Sequence, residues 1–250
     1  MKKVLSLLIV CVLVGCSEKR VLIDELTNKG IKELPIYYSE EGLFSGVMFD
    51  VNSKGLLILE STIKDGEKNG LSKEWNKYGE LESEHNYKDG KLDGLYKRWY
   101  RNGELSEEGT FINGVKDGVY RYWYDSGQLE SEENYKDGSQ KGWYENGQLE
   151  FEENYKDGKE NGLFKEWYEN GQLKEEGIYI DGKKNGLHKE WYENGQIIVE
   201  TNFKDGIEYG LYKMWYDNGQ IMFEWNYENG MQNGVSKHWD EDGRLLSETN

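Results

Sequence analysis

Cysteine, proline, long apolar runs and positive charge are all scarce in this sequence. With only two cysteines, Cys11 and Cys16, a disulfide framework is excluded. The main apolar run, Val4 to Val14, is too short to cross a membrane as a helix. Acidic residues outnumber basic ones by 48 to 31, and the resulting net charge of −17 disfavours nucleic acid and anionic lipid as partners. The same charge favours a basic protein partner, although solubility alone would also explain it.

The first residues are typical of a targeting segment. Lys2 and Lys3 precede the apolar run, which suits the core of a signal peptide over residues 1–15. The run ends in Leu13-Val14-Gly15-Cys16, which resembles a bacterial lipobox. That resemblance implies lipidation at Cys16 and a lipid-anchored protein of the bacterial cell envelope, in the outer membrane where two membranes are present. An ordinary secretory signal is the alternative.

Tryptophan marks an internal repeat. Eight tryptophans are spaced 24 residues apart, with one interval of 20: Trp75, Trp99, Trp123, Trp143, Trp167, Trp191, Trp215 and Trp239. A fixed period of this length predicts an array of small identical units in place of a conventional globular domain. The short interval places four missing residues in the connector after Tyr135.

Each unit has the pattern of a β-hairpin. Two runs rich in aromatic and aliphatic residues flank a turn, as in Leu163 to Tyr168 and Leu173 to Tyr179 around Asn170-Gly171. Asn-Gly predicts a two-residue type I′ turn. The corresponding turn glycines are Gly79, Gly103, Gly127, Gly147, Gly171, Gly195, Gly219 and Gly243.

Counting outward from the predicted turn gives a register that places Tyr168 opposite Leu173 and Lys165 opposite Glu176. The same count places a cation opposite a glutamate in eight units: Lys73–Glu84, Lys97–Glu108, Arg121–Glu132, Lys141–Glu152, Lys165–Glu176, Lys189–Glu200, Lys213–Glu224 and Lys237–Glu248. Opposed charges on neighbouring strands fix register, so we interpret this ladder as structural.

These features divide the chain into three parts. A signal peptide over residues 1–15 precedes a lipidated tether and a degenerate capping hairpin over 16–45. Nine hairpin repeats follow over 46–250. In the capping hairpin we expect Val21 to Leu26 and Ile31 to Tyr38 as strands, with Pro35 in the second strand. In the first repeat Phe49 faces Glu60 where later units have lysine.

The predicted fold class is all-β: an elongated array of antiparallel β-hairpins in one long twisted sheet. Strand alternation predicts that one face carries Leu163, Lys165, Trp167 and Lys174, while the other carries Leu173 with Phe164 and Tyr168. Neither face is cleanly polar. We therefore expect columns of aromatic residues to be buried between units.

The repeated pattern Gly-Leu-x-Lys-x-Trp-Tyr-x-Asn-Gly-Gln-Leu resembles the bacterial MORN repeat variant over about residues 46–250. It is similar to the repeats of proteins classed as YwqK-family antitoxins. The resemblance implies a hairpin array and, for some members, neutralisation of a toxin. Two features depart from related proteins. The Tyr-x-Gly-x-Trp opening of eukaryotic MORN repeats is absent, and an envelope lipoprotein would not meet a toxin inside its own cell.

Residues that carry chemistry show no unique cluster. His85, His188 and His238 occupy different positions in separate units, so we interpret them as surface substitutions. The Asp-Gly turns offer one carboxylate each, which is too few for calcium. We predict no catalytic residue, metal or cofactor.

Three hypotheses for the function follow. The first is an envelope scaffold that binds a protein, with an immunity-like role toward a basic toxin or effector as one form of it. The second is a surface that binds cell-wall glycan through its aromatic residues. An enzyme ranks last, since no polar cluster stands out from the repeat pattern.

Overall fold

The computed structural model describes residues 19–28 and 35–249. The predicted signal peptide and the predicted lipidation site Cys16 lie outside these residues. One 3-10 helix, Ile23–Glu25, follows the first strand. The strands are β1 (Arg20–Leu22), β2 (Thr27–Asn28), β3 (Tyr37–Ser39), β4 (Gly42–Leu43), β5 (Gly46–Val51), β6 (Leu57–Lys64), β7 (Glu67–Trp75), β8 (Leu81–Lys88), β9 (Lys91–Trp99), β10 (Leu105–Ile112), β11 (Val115–Trp123), β12 (Leu129–Asn134), β13 (Ser139–Trp143), β14 (Leu149–Lys156), β15 (Lys159–Glu160), β16 (Gly162–Trp167), β17 (Leu173–Ile180), β18 (Lys183–Trp191), β19 (Ile197–Lys204), β20 (Ile207–Trp215), β21 (Ile221–Glu228), β22 (Met231–Trp239) and β23 (Leu245–Thr249).

Twenty of these strands form one long sheet that does not close. From β5 onward each strand pairs antiparallel with its neighbours in the sequence, while the short β15 pairs with β14 and β16 continues the sheet on β14. The predicted all-β hairpin array is confirmed. Because the strands of the array pair with their neighbours in the sequence, each repeat depends mainly on the adjacent repeats for stability.

The Asn-Gly turns differ from the prediction. In the central unit Tyr168 N donates to Gln172 O and Gly171 N donates to Tyr168 O, each at 2.8 Å. Gly171 has φ 83°, whereas Asn170 is absent from the residues with positive φ. This geometry is a type I turn followed by a bulge at glycine, so the predicted type I′ turn is wrong. All eight predicted turn glycines have positive φ, between 78° and 91°.

Asn170 is needed for its side chain and not for a positive φ. Its Oδ1 accepts a hydrogen bond from Gln172 N at 2.9 Å, and its Nδ2 donates to Glu193 O of the next unit at 2.9 Å. Tyr168 adds a second bond between units, from its hydroxyl to Trp191 O at 2.7 Å. These bonds hold successive turns in line along one edge of the sheet.

The type I′ turns lie at the opposite edge. Asp181 and Gly182 have φ 51° and 79°, and they form a two-residue loop between the paired residues Ile180 and Lys183. The positive φ pair recurs at Asp65, Asp89, Asn113, Asp157, Asp205 and Asn229, each followed by glycine. The segment that was predicted to connect successive hairpins is therefore mostly strand, and a two-residue turn closes it.

The ladder register is confirmed, but the residues nearest the turn are not paired as predicted. Lys165 pairs with Glu176, while Trp167 and not Tyr168 lies opposite Leu173. The three-residue loop shifts the register by one, and Lys174, the extra residue of a bulge, shifts it back. Leu173 therefore lies on the face of Trp167, and Lys174 contacts Glu166 at 2.6 Å on the other face. Both predicted face assignments near the turn are corrected.

The N-terminal cap also differs from the predicted hairpin. β1 runs parallel to β5 and covers its edge, while β2, β3 and β4 form a separate three-stranded sheet. Pro35 precedes β3, which begins at Tyr37, because proline has no N–H for a ladder. Val21 to Leu26 is interrupted by the 3-10 helix.

The only cluster of buried apolar side chains in the described chain lies beneath this cap. It consists of Tyr37, Phe44, Met48 and Ile63. Elsewhere the array is a single layer, and the eight repeat tryptophans are half-buried. None of their indoles contacts another aromatic ring in the described chain, so the expected aromatic columns are built by other residues.

Candidate interaction surface

We call the face with the Lys–Glu pairs and the repeat tryptophans the ladder face. From Glu84 to Glu224 each glutamate of this row lies opposite a cation on both sides: Glu176, for example, lies opposite Lys165 on one strand and Lys189 on the next. Glu248, on the last strand, lies opposite Lys237 alone. Seven of the eight predicted pairs have N···O distances between 2.6 and 4.0 Å. The ladder is thus one continuous alternating row across the sheet, and its charges neutralise one another.

The cap extends this row. Glu60, which lacks a lysine partner in its own unit, forms an ion pair with Arg20 of β1. The Arg20 guanidinium also lies 5.8 Å from the centre of the Phe49 ring, which fills the position of the missing lysine. Sequence reasoning missed this contact because β1 lies outside the repeat.

We call the opposite face the aromatic face. Its ring contacts include His85 stacked on Tyr96 at 4.5 Å, Tyr212 stacked on Trp225 at 4.4 Å and His188 edge-on to Phe203 at 5.1 Å. Large rings lie over small residues of the neighbouring strand. A Cβ on Gly109 would lie 1.9 Å from the Tyr120 ring.

The interpretation of the histidines as surface substitutions is wrong for His188, which is only 3% exposed. His85 and His238 are half-buried and stack on Tyr96 and Phe223 at 4.5 and 4.3 Å. All three point to the aromatic face. Burial, aided by the charges of Lys68 and Arg98, lowers the pKa of His85 from 6.5 to about 4. Burial also lowers the pKa of His188.

Lysines from the chain itself bind to rings on this face. Lys116 Nζ lies 3.9 Å from the centre of the Tyr120 ring and donates to the hydroxyls of Tyr122 at 2.7 Å and Tyr135 at 3.0 Å. Burial opposes its charge, but these hydrogen bonds raise the pKa of Lys116 to about 12. Lys68 and Lys184 lie over Tyr87 and Phe203 at 4.7 and 5.6 Å. The aromatic face therefore accommodates cations.

The two long edges of the sheet differ in charge. We call the edge with the turns around Asn102, Asn170 and their equivalents the Asn–Gly edge. Its turns carry an exposed acidic residue in six successive units: Asp125, Glu145, Glu169, Glu193, Asp217 and Glu241. None of the six forms an ion pair in the described chain. Lys77 and Arg101 occupy the equivalent positions of the two preceding units, so the row begins at Asp125.

At the opposite edge, the turns combine Asp-Gly with neighbouring lysines such as Lys156 and Lys183. This Asp–Gly edge is mixed in charge. The Asn–Gly edge carries carboxylates in six successive units, whereas the carboxylates of the Asp–Gly edge lie beside lysines.

Within residues 19–28 and 35–249, no group of three or more His, Cys, Asp and Glu side chains could hold a metal ion. No helix in this part of the chain is long and apolar enough to span a membrane.

The fold and surfaces define an open β-repeat scaffold with one self-neutral face and one variable face. The sequence matches the MORN repeat variant family over just more than half of the chain, in six units: residues 92–113, 116–137, 136–157, 160–181, 184–205 and 208–229. The chain therefore belongs to this family. MORN repeats generally act as protein- or membrane-binding scaffolds and are typically non-catalytic. No curated protein sequence matches the chain.

Proposed function

We propose that this chain is a scaffold of the bacterial cell envelope, anchored through Cys16, that binds a basic protein along its Asn–Gly edge. The row of six carboxylates from Asp125 to Glu241 is the observation that carries this proposal. On the ladder face each glutamate from Glu84 to Glu224 already lies between two cations. The carboxylates of the Asn–Gly edge have no such partner, so their field is available to an incoming protein.

The row also has a defined geometry. Two strands separate successive units, so neighbouring carboxylates are spaced by about 10 Å and the row extends over roughly 50 Å. Hydrogen bonds from Asn146 to Glu169 O and from Asn170 to Glu193 O fix the turns relative to one another. A pre-organised surface of this length suits a long basic surface, and an immunity-like role toward a basic toxin or effector is one form of such binding.

The test is a pull-down from native envelope and secreted fractions, with residues 17–250 as bait at low and moderate salt. We expect capture of a basic protein that elutes as salt is raised. The same pull-down with Glu145→Gln, Glu169→Gln and Glu193→Gln combined should lose that protein.

A matched control removes the same charge elsewhere. Glu25, Glu40 and Glu228 are exposed and lie away from the Asn–Gly edge, and changing all three to Gln removes the same number of negative charges. This control should retain the partner. Equal loss in both variants, or capture that salt does not affect, would contradict the proposal.

Cell-wall glycan is a second candidate because of one feature near the N-terminal end of the array. Trp75, Trp99, Tyr78 and Tyr100 line a cleft of about 590 Å³ together with Arg101. Aromatic rings with a nearby polar group are the usual components of a sugar-binding surface. Retention of wall polysaccharide by the wild type, lost on Trp75→Ala, with no protein enriched would favour this function instead.

A further inference from the structure

A tyrosine that recurs along the array is absent from its first two units. In six successive units the residue after the repeat tryptophan is a tyrosine, and its hydroxyl donates to the backbone carbonyl of the next repeat tryptophan at 2.6 to 3.2 Å: Tyr100, Tyr124, Tyr144, Tyr168, Tyr192 and Tyr216. Asn52 and Asn76 occupy the equivalent position in the first two units. The tyrosines that would donate to Trp75 O and Trp99 O are therefore missing.

Both asparagines form hydrogen bonds within their own turns. Asn76 Oδ1 accepts a hydrogen bond from Tyr78 N at 2.9 Å, and its Nδ2 donates to Glu80 at 2.8 Å. Asn52 Oδ1 accepts in the same way from Lys54 N at 2.9 Å. Neither side chain has a ring, so the space that two tyrosine side chains fill in later units stays open.

This space is the cleft of about 590 Å³ near the N-terminal end of the array. Around Tyr100, the next unit supplies a tryptophan carbonyl, the turn residue Asp125 and the bulge residue Glu130. The equivalent residues line the cleft: Trp75, Lys77 and Glu82 after Asn52, and Trp99 and Arg101 after Asn76. Because the two units are adjacent, one cleft contains the space of both missing tyrosines.

Tyr78 also lines the cleft but does not fill it. Its side chain is 53% exposed, and Lys77 Nζ and Arg101 Cζ lie 5.1 and 4.4 Å from the centre of its ring. Neither cation forms an ion pair in the described chain. The mouth of the cleft therefore carries two exposed cations, where the six later turns carry carboxylates.

The interior of the cleft suits a neutral phenol. Burial and the charge of Glu130 raise the pKa of Tyr100, so its hydroxyl stays protonated and donates. Glu74 and Glu82 line the cleft and would act on a phenol there in the same way. A carboxylate or phosphate at this depth would be repelled by them.

We propose that this cleft binds tyrosine side chains of a partner protein, whose hydroxyls donate to the carbonyls of Trp75 and Trp99. Acidic residues beside those tyrosines contact Lys77 and Arg101 at the mouth. The six tyrosines of the later units are the precedent for both the ring and the hydrogen bond. The inference goes beyond the proposed function, because it concerns the two units that precede the acidic row.

The spacing of the two carbonyls defines the probe. Two strands separate them, so they lie about 10 Å apart. Two tyrosines three residues apart in a polyproline II segment point to the same side and span about 9 Å. The hexapeptide Glu-Tyr-Glu-Pro-Tyr-Glu has this spacing and carries the acidic neighbours.

The test measures the fluorescence anisotropy of this hexapeptide, labelled with fluorescein, with the full chain in nonionic detergent. Moderate salt screens the net negative charge of the chain. We expect the hexapeptide to bind, and its analogue with phenylalanine at both tyrosine positions to bind about tenfold more weakly, because the two hydroxyl donors are lost.

Filling the space from within the chain gives an independent test. Asn76→Tyr with Tyr78→Asn gives this turn the tyrosine and asparagine of the next one, Tyr100 and Asn102. We expect this double variant to raise the melting temperature and to weaken hexapeptide binding about tenfold. Tyr78→Asn alone is the matched control. It leaves Asn76 and the open space in place, so binding should stay within about twofold of the wild type.

Each outcome decides for or against the cleft. Preference for the tyrosine hexapeptide together with selective loss in the double variant would support the site. Equal binding of both hexapeptides, equal binding by the double variant and its control, or absence of binding by the wild type would overturn it. Chitotetraose that binds to the wild type and not to the double variant, with no hexapeptide binding, would assign the cleft to glycan instead. The acidic row from Asp125 to Glu241 is unchanged in these variants, so capture of a basic protein is judged separately.

Discussion

The ladder face and the aromatic face are formed by the same strands but follow opposite rules. On the ladder face the cation, the glutamate and the tryptophan recur in nearly every unit. On the aromatic face the equivalent position of successive first strands holds Ser72, Tyr96, Tyr120, Gln140, Phe164, His188, Tyr212 and Ser236. Register and strand pairing are therefore determined on one side of the sheet, and the other side is free to vary.

The difference matters for function because a single-layer sheet exposes both faces. A row of ion pairs that neutralise each other offers little to a partner, since any competing charge must displace an existing one. The aromatic face carries rings, and the Asn–Gly edge carries carboxylates, that are available to contact a partner. The proposed binding surface at the Asn–Gly edge therefore lies where the carboxylates have no ion-pair partner in the described chain.

The largest loss of stability is expected at a glycine that leaves space for a ring of the neighbouring strand. A Cβ on Gly177 would lie 2.1 Å from the His188 ring, so Gly177→Ala must displace that ring or the strand. We expect a loss of about 2 kcal/mol in the free energy of unfolding, measured by urea denaturation.

The control variant places small residues at both positions, as another unit of the array does. Ser61 and Ser72 occupy the equivalent paired positions, and both are small. Adding His188→Ser to Gly177→Ala should therefore recover part of the loss, so that the two changes are less costly together than their sum. Strict additivity would mean that the ring and the glycine do not interact.

The next effect concerns the turn on which the ladder register depends. Gly171 has φ 83°, and a β-branched residue is strained there, so Gly171→Val should cost about 1–2 kcal/mol. Glu169→Pro is the matched variant. Proline fits the second residue of a type I turn, so we expect its effect on the melting temperature to be close to zero. A large loss of stability on Glu169→Pro would instead support the predicted two-residue turn. In that turn the backbone N–H of Glu169 donates a hydrogen bond to the neighbouring strand, and proline would remove it.

Much of the ladder face was predictable from the sequence because it repeats. The period located the hairpins, and charge pairing gave the correct register for Lys165 and Glu176 even though the assumed turn was wrong. Two shifts of one residue cancel, one at Gly171 and one at Lys174. No signal within a single unit shows such compensation, so only the structure separates the two turn types.

The aromatic face was not predictable in the same way. Whether His188 is buried depends on Gly177 of the strand opposite, and the repeat pattern itself contains no rule that couples these two positions. A check for large residues facing glycine across the confirmed register would have found them. A cap was predicted, but its contact through Arg20 was missed because Arg20 lies on a parallel strand outside the repeat.

A smaller effect is expected from the ladder itself. Lys165 lies between Glu152 and Glu176, so Lys165→Glu places three glutamates in a row. Opposed like charges destabilise neighbouring strands by a few tenths of a kcal/mol each, and we expect a total loss of about 1 kcal/mol that shrinks at high salt. Lys159→Glu makes the same change at an exposed residue outside the ladder and should cost less than about 0.5 kcal/mol. Equal losses of stability in the two variants would mean that these lysines act through the net charge of the chain and not through pairing with glutamate in the ladder.

A pH-dependent effect distinguishes the two faces by their titration. His85 stacks on Tyr96, and Lys68, Arg98 and Glu107 are the charged groups that act on it. Its pKa falls from 6.5 to about 4 in the folded chain, so between these values the unfolded chain binds the additional proton. Stability from this group is complete above pH 6.5 and is lost as the pH falls toward 4.

His85→Phe keeps a ring in the stack without the titration, so its urea midpoint should decline less than that of the wild type over this range. The carboxylates titrate alike in both proteins, so they do not contribute to the difference between them. Parallel plots of urea midpoint against pH would therefore show that His85 is protonated in the folded chain as readily as in the unfolded chain. The aromatic face would then be open to water at this position.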